Sequence, residues 1–148
     1  MDKRGVTLIE LLIVIAIIGI LAGVATTAYI GSVRNAARSE AYSNLQSLRL
    51  LEEQFFAENA RYTIPLGAVG KDNLGNVVTI QTGGGDATNA IPGFRPGTGL
   101  SFSYCIEQNI DLNGAVQNPC FRASAFGNTN TRVDGDIFRI DCNNNRNF

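Results

Sequence analysis

A single carboxylate stands at the head of a long apolar run near the amino terminus. Glu10 precedes residues 11–33, which carry no charge, and Lys3 and Arg4 lie just before it. A charge at the centre of a bilayer costs roughly 2.5–3.5 kcal/mol on insertion scales, so an intramembrane carboxylate indicates a function and needs a partner. As a helix, residues 11–30 would span about 30 Å, which matches the hydrocarbon core of a membrane.

The basic residues before this span predict its orientation. Lys3 and Arg4 favour a cytoplasmic amino terminus, so the rest of the chain is expected on the other side. A secretory signal would have a longer basic region, a shorter apolar core and a small-x-small cleavage site after it, and none of these features is clean here. A plain single-span anchor is the simpler alternative, but it leaves Glu10 unexplained.

The composition argues against catalysis. The 148 residues include no His, which excludes Ser-His-Asp and Cys-His centres and the usual haem and zinc ligands. Paired carboxylates, a phosphate loop and a nucleophile elbow do not occur either. The net charge is −1, and removal of residues 1–5 would leave 10 basic and 12 acidic side chains, a net of −2. We therefore expect a structural protein without catalytic residues, metal, cofactor or specific nucleic-acid partner.

A basic leader, a small residue, a hydrophobic residue and a Glu four positions later directly abut the apolar run, in the order Lys3-Arg4-Gly5-Val6-Thr7-Leu8-Ile9-Glu10. This motif resembles the class III signal and amino-terminal helix of a bacterial type IV pilin. The resemblance implies that a prepilin peptidase cuts between Gly5 and Val6 and that the new Val6 amine is methylated. Val6 stands where the family usually has Phe.

Polymerisation through the amino-terminal helix is a further implication of the resemblance. Glu10 is expected to meet the Val6 amine of a neighbouring subunit, because two charges that are each costly in lipid become tolerable as a pair. Gly19 and Gly23 form a GxxxG pair, which lets helices approach closely in lipid but is also compatible with two tolerated glycines. Thr26 and Thr27 stand where pilins often carry a helix-breaking Pro.

The helix is predicted to continue beyond the membrane as an amphipathic segment and to end near Ala60, before Pro65. Its apolar or small residues recur in steps of three and four, as expected of a helix packed on a sheet. They are Val33, Ala37, Ala41, Leu45, Leu48, Leu51 and Phe55. Most charged residues of this segment, Glu52 and Arg38 among them, are expected on the opposite, solvated side.

The remainder predicts a loop and then a sheet. Residues 65–99 hold nine of the sixteen glycines, and their only strand-like fragment is residues 76–80. Alternating segments at 100–106, 120–126 and 135–142 predict an antiparallel meander, with Phe102, Tyr104 and Ile106 on one face.

The predicted fold class is α+β with the pilin architecture, a long amino-terminal helix and a small antiparallel sheet packed on its carboxyl-terminal half. The predicted divisions are a cleaved leader (1–5), a transmembrane and assembly helix (6–33), an amphipathic helix (34–62), a Gly-rich αβ loop (63–99), and the sheet with a carboxyl-terminal loop (100–148).

Three cysteines in the exported part predict one disulfide and one cysteine left over. Pairing Cys105 with Cys120 sets Tyr104 opposite Phe121 and apolar against apolar throughout, whereas direct pairing of Cys120 with Cys142 mismatches the faces. We therefore favour Cys105–Cys120 with Cys142 free, although the family's habit of a carboxyl-terminal disulfide loop makes Cys142 the alternative partner.

Two weaker interpretations of the exported part concern metal binding and electron transfer. Asp134, Asp136, Asp141 and Asn143 suggest a calcium loop, but their spacing is poor and a polar turn is favoured. Aromatic residues along the helix could be proposed as an electron path, although core packing is the ordinary role of such residues; they are Tyr29, Tyr42, Phe55, Phe56 and Tyr62.

The sequence thus predicts a major or minor pilus subunit, with identical subunits, the prepilin peptidase and the inner-membrane assembly machinery as partners. Before assembly it would lie in the inner membrane with a cytoplasmic amino terminus, and afterwards in an extracellular pilus. A type II secretion pseudopilin is the alternative of the same kind. A membrane-tethered exported enzyme is the alternative of a different class.

Overall fold

A computed structural model describes residues 7–97 and 100–148 of the chain. The predicted cleavage site, Gly5 and Val6, lies outside the described residues. The chain divides into two compact units with the boundary between Ala36 and Ala37. In chain order the elements are the helices α1 (Leu8–Asn59) and α2 (Asn76–Thr82), the short 3-10 turns Gly83–Gly85 and Ala87–Asn89, and the strands β1 (Phe102–Ile110), β2 (Val116–Gly127) and β3 (Ile137–Asp141). The predicted α+β class, a long amino-terminal helix with a small antiparallel sheet, is confirmed.

Helix α1 ends at Asn59, one residue before the predicted position. Ala60 adopts a left-handed conformation with φ 56°, and its amide donates to the carbonyl of Phe56 at 2.8 Å. The Asn59 side chain donates to the carbonyl of Phe55 at 3.0 Å. The helix therefore ends in a local left-handed cap, five residues before Pro65, the predicted terminator.

The carboxyl-terminal half of α1 supplies one wall of the core of the second unit. Its buried residues are Ala41, Leu45, Leu48, Glu52 and Phe55. They follow a helical spacing of three and four, and burial of each Leu stabilises the fold by about 1.5–3 kcal/mol. From the predicted stripe, Val33, Ala37 and Leu51 are only partly buried.

The three strands form one antiparallel sheet in the order β1-β2-β3. Phe102, Tyr104 and Ile106 are buried in the core that also contains the buried apolar residues of α1, so the predicted inward face of β1 is confirmed. In β2, Phe121, Ala123 and Ala125 face the same core, as predicted. Both strands extend further than their predicted segments.

The predicted register of the first hairpin is wrong by four residues. Tyr104 lies opposite Ala125 rather than Phe121, and Cys105 lies opposite Ser124 rather than Cys120. A four-residue shift keeps every side chain on its own face because the strand period is two, so alternation of apolar and polar residues did not reveal the error. The register is irregular between Gln108 and Ile110, where Asn109 has φ 59°. These two residue steps of β1 lie opposite the five from Phe121 to Val116, so the extra length is in β2.

The predicted disulfide pairing is also wrong, since Cys120 is linked to Cys142 and Cys105 is free. The Cα atoms of Cys120 and Cys142 are 5.3 Å apart. Cys142 lies one residue beyond the end of β3, in a turn where the Asn144 amide donates to the Asp141 carbonyl. The Cys142 amide donates to the Phe121 carbonyl at 3.1 Å, so Cys142 lies one residue off direct register with Cys120. The mismatch argued from direct pairing therefore does not apply.

Cys105, the free cysteine, is a small apolar residue of the second unit, residues 37–148, which we call the head. It is fully buried on β1. Burial raises the pKa of its thiol to about 12, and the nearby Glu107 carboxylate adds to this effect. The thiol is therefore neutral at physiological pH, which makes it an unreactive side chain.

The predicted αβ loop contains helix α2, so the interpretation of residues 76–80 as strand-like is wrong. Asn76 is buried, and its side chain bonds the backbone of Ala68 and the carbonyl of Tyr104 at 2.8–2.9 Å. Ile80, one turn later, is fully buried, whereas Val78 is exposed. Tertiary contacts on one helical face thus override the β propensity of the Val-Val-Thr-Ile sequence.

Glu52 is the one buried residue of α1 that the sequence places in solvent. Its carboxylate is fully buried and accepts hydrogen bonds from the backbone amide of Thr63 at 3.2 Å and from the Thr63 hydroxyl. Burial raises the pKa of Glu52 to about 7, although the two bonds from Thr63 oppose the shift. The bonds tie the last turns of α1 to the start of the αβ loop.

We expect the Glu52 carboxyl to make the head less stable as the pH rises. Its pKa is about 7 in the folded state against an ordinary 4.5, so the folded state holds the proton more tightly and stability falls between about pH 4.5 and pH 7. The loss reaches up to about 3 kcal/mol. Urea unfolding of the detergent-solubilised chain should show this fall in wild type and a weaker one in Glu52→Gln. Glu58→Gln, an exposed change on the same helix, is the control, and parallel curves for Glu52→Gln and wild type would contradict the assignment.

Removal of the disulfide should weaken the head. The loop between Cys120 and Cys142 spans 22 residues, for which chain entropy predicts a loss of about 3 kcal/mol in Cys142→Ser. Non-reducing peptide mapping of wild type should recover one linked peptide pair containing Cys120 and Cys142. Cys105→Ser is the matched control and should leave that pair intact. A linked peptide containing Cys105 would refute the pairing.

Candidate assembly site on the amino-terminal helix

Thr7 and Glu10 cap the start of α1 reciprocally. The Thr7 amide and hydroxyl both donate to Oε2 of Glu10 at 3.4 Å, and the Glu10 amide donates to the Thr7 hydroxyl at 3.3 Å. This is the capping-box arrangement, in which a Thr and a Glu three residues later satisfy backbone donors that have no helical partner. A carboxylate at a helix amino terminus also lies at the positive end of the helix dipole. The fold thus places the Glu10 charge at one defined position at the head of the apolar segment.

Beyond Glu10, the apolar side chains of α1 are uncovered within the chain. Each large apolar residue from Leu8 to Ile30 is at least 46% exposed. The described residues hold one helix that is long and apolar enough to cross a membrane, with an 18-residue window of mean hydropathy 2.9. An exposed apolar surface of this length is typical of a segment that lies in lipid or packs against other chains.

Gly19 and Gly23 lie on the open surface of this segment. A Cβ atom added to either residue would meet no other atom within 4 Å, apart from the local helix backbone. The pair is one helical turn apart, so it leaves a shallow flat strip where another helix can approach. Their assembly role stays a prediction.

Thr26 and Thr27 keep the helix continuous where pilins often have Pro. The Thr26 hydroxyl donates to the Ala22 carbonyl at 2.8 Å, and the Thr27 hydroxyl donates to the Val24 carbonyl at 2.9 Å. These bonds satisfy both hydroxyls inside the helix, which an apolar environment requires.

The acidic residues considered for calcium are engaged separately. Asp134 forms an ion pair with Lys71 at 3.0 Å, and Asp136 forms a bidentate ion pair with Arg38 at 2.7 and 2.8 Å. Asp141 is fully buried and accepts hydrogen bonds from three backbone amides, those of Leu112, Asn143 and Asn145. Within residues 7–97 and 100–148, no group of three or more His, Cys, Asp or Glu side chains is arranged to hold a metal ion.

The aromatic residues considered for electron transfer pack into the head apart from Tyr29, which is 65% exposed. Tyr42 stacks on Phe148 with a centroid distance of 4.4 Å. Phe56 contacts Tyr62 at 4.6 Å, and Tyr62 contacts Phe121 at 4.9 Å. The contacts within the head are those expected of core packing.

The predicted site residues omit Thr7 and treat Glu52 and Arg38 as solvated. The sequence signal for Thr7 is present, since T-x-x-E before an apolar run is a capping-box signature. Glu52 is four residues after Leu48 and three before Phe55, so its spacing places it on the buried stripe although its charge argued otherwise. Arg38 and Asp136 are 98 residues apart and give no local signal.

Comparison with known proteins reveals one family motif and one curated relative. Residues 1–26 match the family described as the prokaryotic N-terminal methylation motif. Over 125 residues the chain is 34% identical to the type IV major pilin protein PilA of Myxococcus xanthus (strain DK1622), a match that covers 79% of this chain. The chain spans about half of the length of that relative, 56%. No solved structure matches. The predicted resemblance of this chain to bacterial type IV pilins is confirmed by the motif and by the relative together.

Proposed function

We propose that this chain is a structural subunit of a type IV pilus. The observation that carries the proposal is the exposed apolar half of α1, headed by a lone carboxylate and preceded by a prokaryotic methylation motif. Similarity to a protein named as a major pilin favours the major subunit over a minor one. The described part of the head contains no cluster of groups that indicates an enzyme, and its charged residues are used in structural pairs.

The proposed route begins in the inner membrane, with the amino terminus in the cytoplasm. Lys3 and Arg4 support this orientation, and the prepilin peptidase then cuts after Gly5 and methylates Val6. The inner-membrane assembly machinery passes the processed subunit from lipid into an extracellular filament of identical subunits.

Glu10 is proposed to receive a cation from a neighbouring subunit in that filament. Cleavage creates a charged amine at Val6, and a stagger between stacked helices would bring this amine to the Glu10 carboxylate of the next chain. Oε2 of Glu10 already accepts two long bonds of 3.4 Å from Thr7, which hold the carboxylate at the helix head before assembly. A cation at that oxygen would compensate the cost of the buried charge.

Replacement of Gly5 by a bulky residue such as Phe should block processing, because the peptidase must fit a small residue at the cut. We expect an unprocessed precursor that retains Lys3 and Arg4, and no surface filaments. In wild type, mass spectrometry of sheared filaments should find a methylated Val6 at the amino terminus. Filaments whose subunits begin at Met1 would rule out the proposed processing.

Two substitutions separate the charge of Glu10 from its role as a cap. Glu10→Ala removes both, whereas Glu10→Gln keeps an oxygen that can accept the Thr7 bonds but carries no charge. If the charge pairs with a neighbouring amine, both variants should insert and be cleaved, and both should assemble poorly. Filament yield in sheared fractions, normalised to processed subunit in the membrane, is the measurement. A normal yield from Glu10→Gln would reduce Glu10 to a helix cap.

A further inference from the structure

The Glu52 carboxyl group is buried without a cation at the junction between α1 and the αβ loop. It accepts hydrogen bonds from the amide and the hydroxyl of Thr63, a residue that is itself fully buried. The ion pairs among the described residues do not include Glu52. A carboxylate that is removed from water is costly unless an opposite charge compensates it, so this arrangement suits the protonated acid better than the anion.

A cation that could compensate the charge lies one helical turn earlier. Arg49 and Glu52 are three residues apart on α1, and side chains at that spacing are neighbours on a helix surface. Nε of Arg49 is buried and has no hydrogen-bond partner among the described residues. The junction thus holds a buried acid without a cation and a buried donor without an acceptor. A side-chain rotation that brings the two together would satisfy both.

The Tyr62 hydroxyl lies within electrostatic reach of both side chains. Burial raises the pKa of Tyr62 to about 12, the charge of Glu52 adds to the rise, and the charge of Arg49 opposes it. The same hydroxyl donates to the Glu53 carboxylate at 3.3 Å. Arg49 and Glu52 therefore act on one small region at the start of the αβ loop.

The other groups around this region leave Arg49 as the cation available to Glu52. Arg61, in the loop, donates to the Asn89 side chain at 2.7 Å and is already engaged. From the sheet, Gln108 donates to the Tyr62 carbonyl at 3.4 Å and Phe121 contacts the Tyr62 ring, and neither residue is charged.

The chain at Thr63 can separate from Glu52 without opening the core. On one side, the Ala60 amide closes the cap of α1. On the other side, Leu66 and Ile106 exchange two backbone hydrogen bonds of 2.9 Å, which tie the loop to β1. Thr63 lies between these two attachments, so its release is a local opening that leaves both in place.

We propose that Glu52 is a pH-sensitive latch that exchanges partners: as the protonated acid it holds Thr63, and as the anion it releases Thr63 and pairs with Arg49. The latch fixes the start of the αβ loop in acid and frees it at neutral and alkaline pH. It belongs to the fold of the head and operates with or without filament assembly, so its test is independent of the proposed function.

The pH range of the latch follows from the burial of the carboxyl group. Burial raises the pKa of Glu52 to about 7 while the latch is closed, although the bonds from Thr63 oppose the rise. The released group regains its ordinary pKa of 4.5 or a lower value beside a cation. The closed state therefore binds the proton more tightly, and release becomes more favourable between about pH 4.5 and pH 7. For a released carboxyl of ordinary pKa, the equilibrium constant rises by up to about 300-fold.

Hydrogen exchange of the detergent-solubilised full chain tests the latch. The measured quantity is the protection of the Thr63 amide relative to its intrinsic exchange rate at each pH. In wild type we expect this protection to fall by up to about 300-fold from pH 4.5 to pH 7, while the Ile106 amide, which bonds Leu66, keeps its protection. Constant protection at Thr63, or an equal loss at Ile106, would overturn the proposal.

Two variants separate the charge of the latch from its second partner. Glu52→Gln stays neutral and can still bond Thr63, so its Thr63 protection should not depend on pH. Arg49→Gln removes the cation that stabilises the released state, so its loss of protection should be smaller than in wild type. Glu58→Gln, an exposed change on the same helix, is the control and should behave as wild type.

Each variant has an outcome that contradicts the latch. A wild-type fall of protection in Glu52→Gln would show that another group controls the loop, and a wild-type fall in Arg49→Gln would overturn the exchange of partners. If Glu52→Gln does not fold, the comparison of Thr63 with Ile106 in wild type still decides.

Discussion

The apolar surface that α1 leaves uncovered from Leu8 to Ile30 is the constraint on which the proposed behaviour of this chain depends. In the proposed pilus, such a surface is covered by lipid before assembly and by other helices afterwards. Because lipid tails are as apolar as leucine, the hydrophobic effect alone does not favour the second state over the first. Close packing and polar interactions must supply the difference, which is why the Glu10 carboxylate and the strip at Gly19 and Gly23 carry weight beyond their size.

In the head, the same helix has a buried face. From Ala41 to Leu48, α1 shares a core with the sheet, and the long-range pair between Arg38 and Asp136 links it to the loop before β3. The hydrogen bond to Asp136 raises the pKa of the Arg38 guanidinium, so this cation stays charged at any physiological pH. Glu52 is different, since burial of its carboxylate costs stability at neutral pH, while its bonds to Thr63 fix where the αβ loop begins.

Sequence periodicity predicted the elements of the head well because each depends on local burial. It identified α1, the three strands and the inward faces of β1 and β2. It failed where non-local contacts decide. The predicted register of the first hairpin is displaced by an even number of residues, so the apolar faces still match and only the paired residues are wrong. Residues 76–80 became helical because Asn76 bonds the Tyr104 carbonyl, a contact that no local pattern encodes. The pairing argument failed for Cys142 because it assumed direct register with Cys120, whereas the Cys142 amide bonds the Phe121 carbonyl and the disulfide joins residues one position off register.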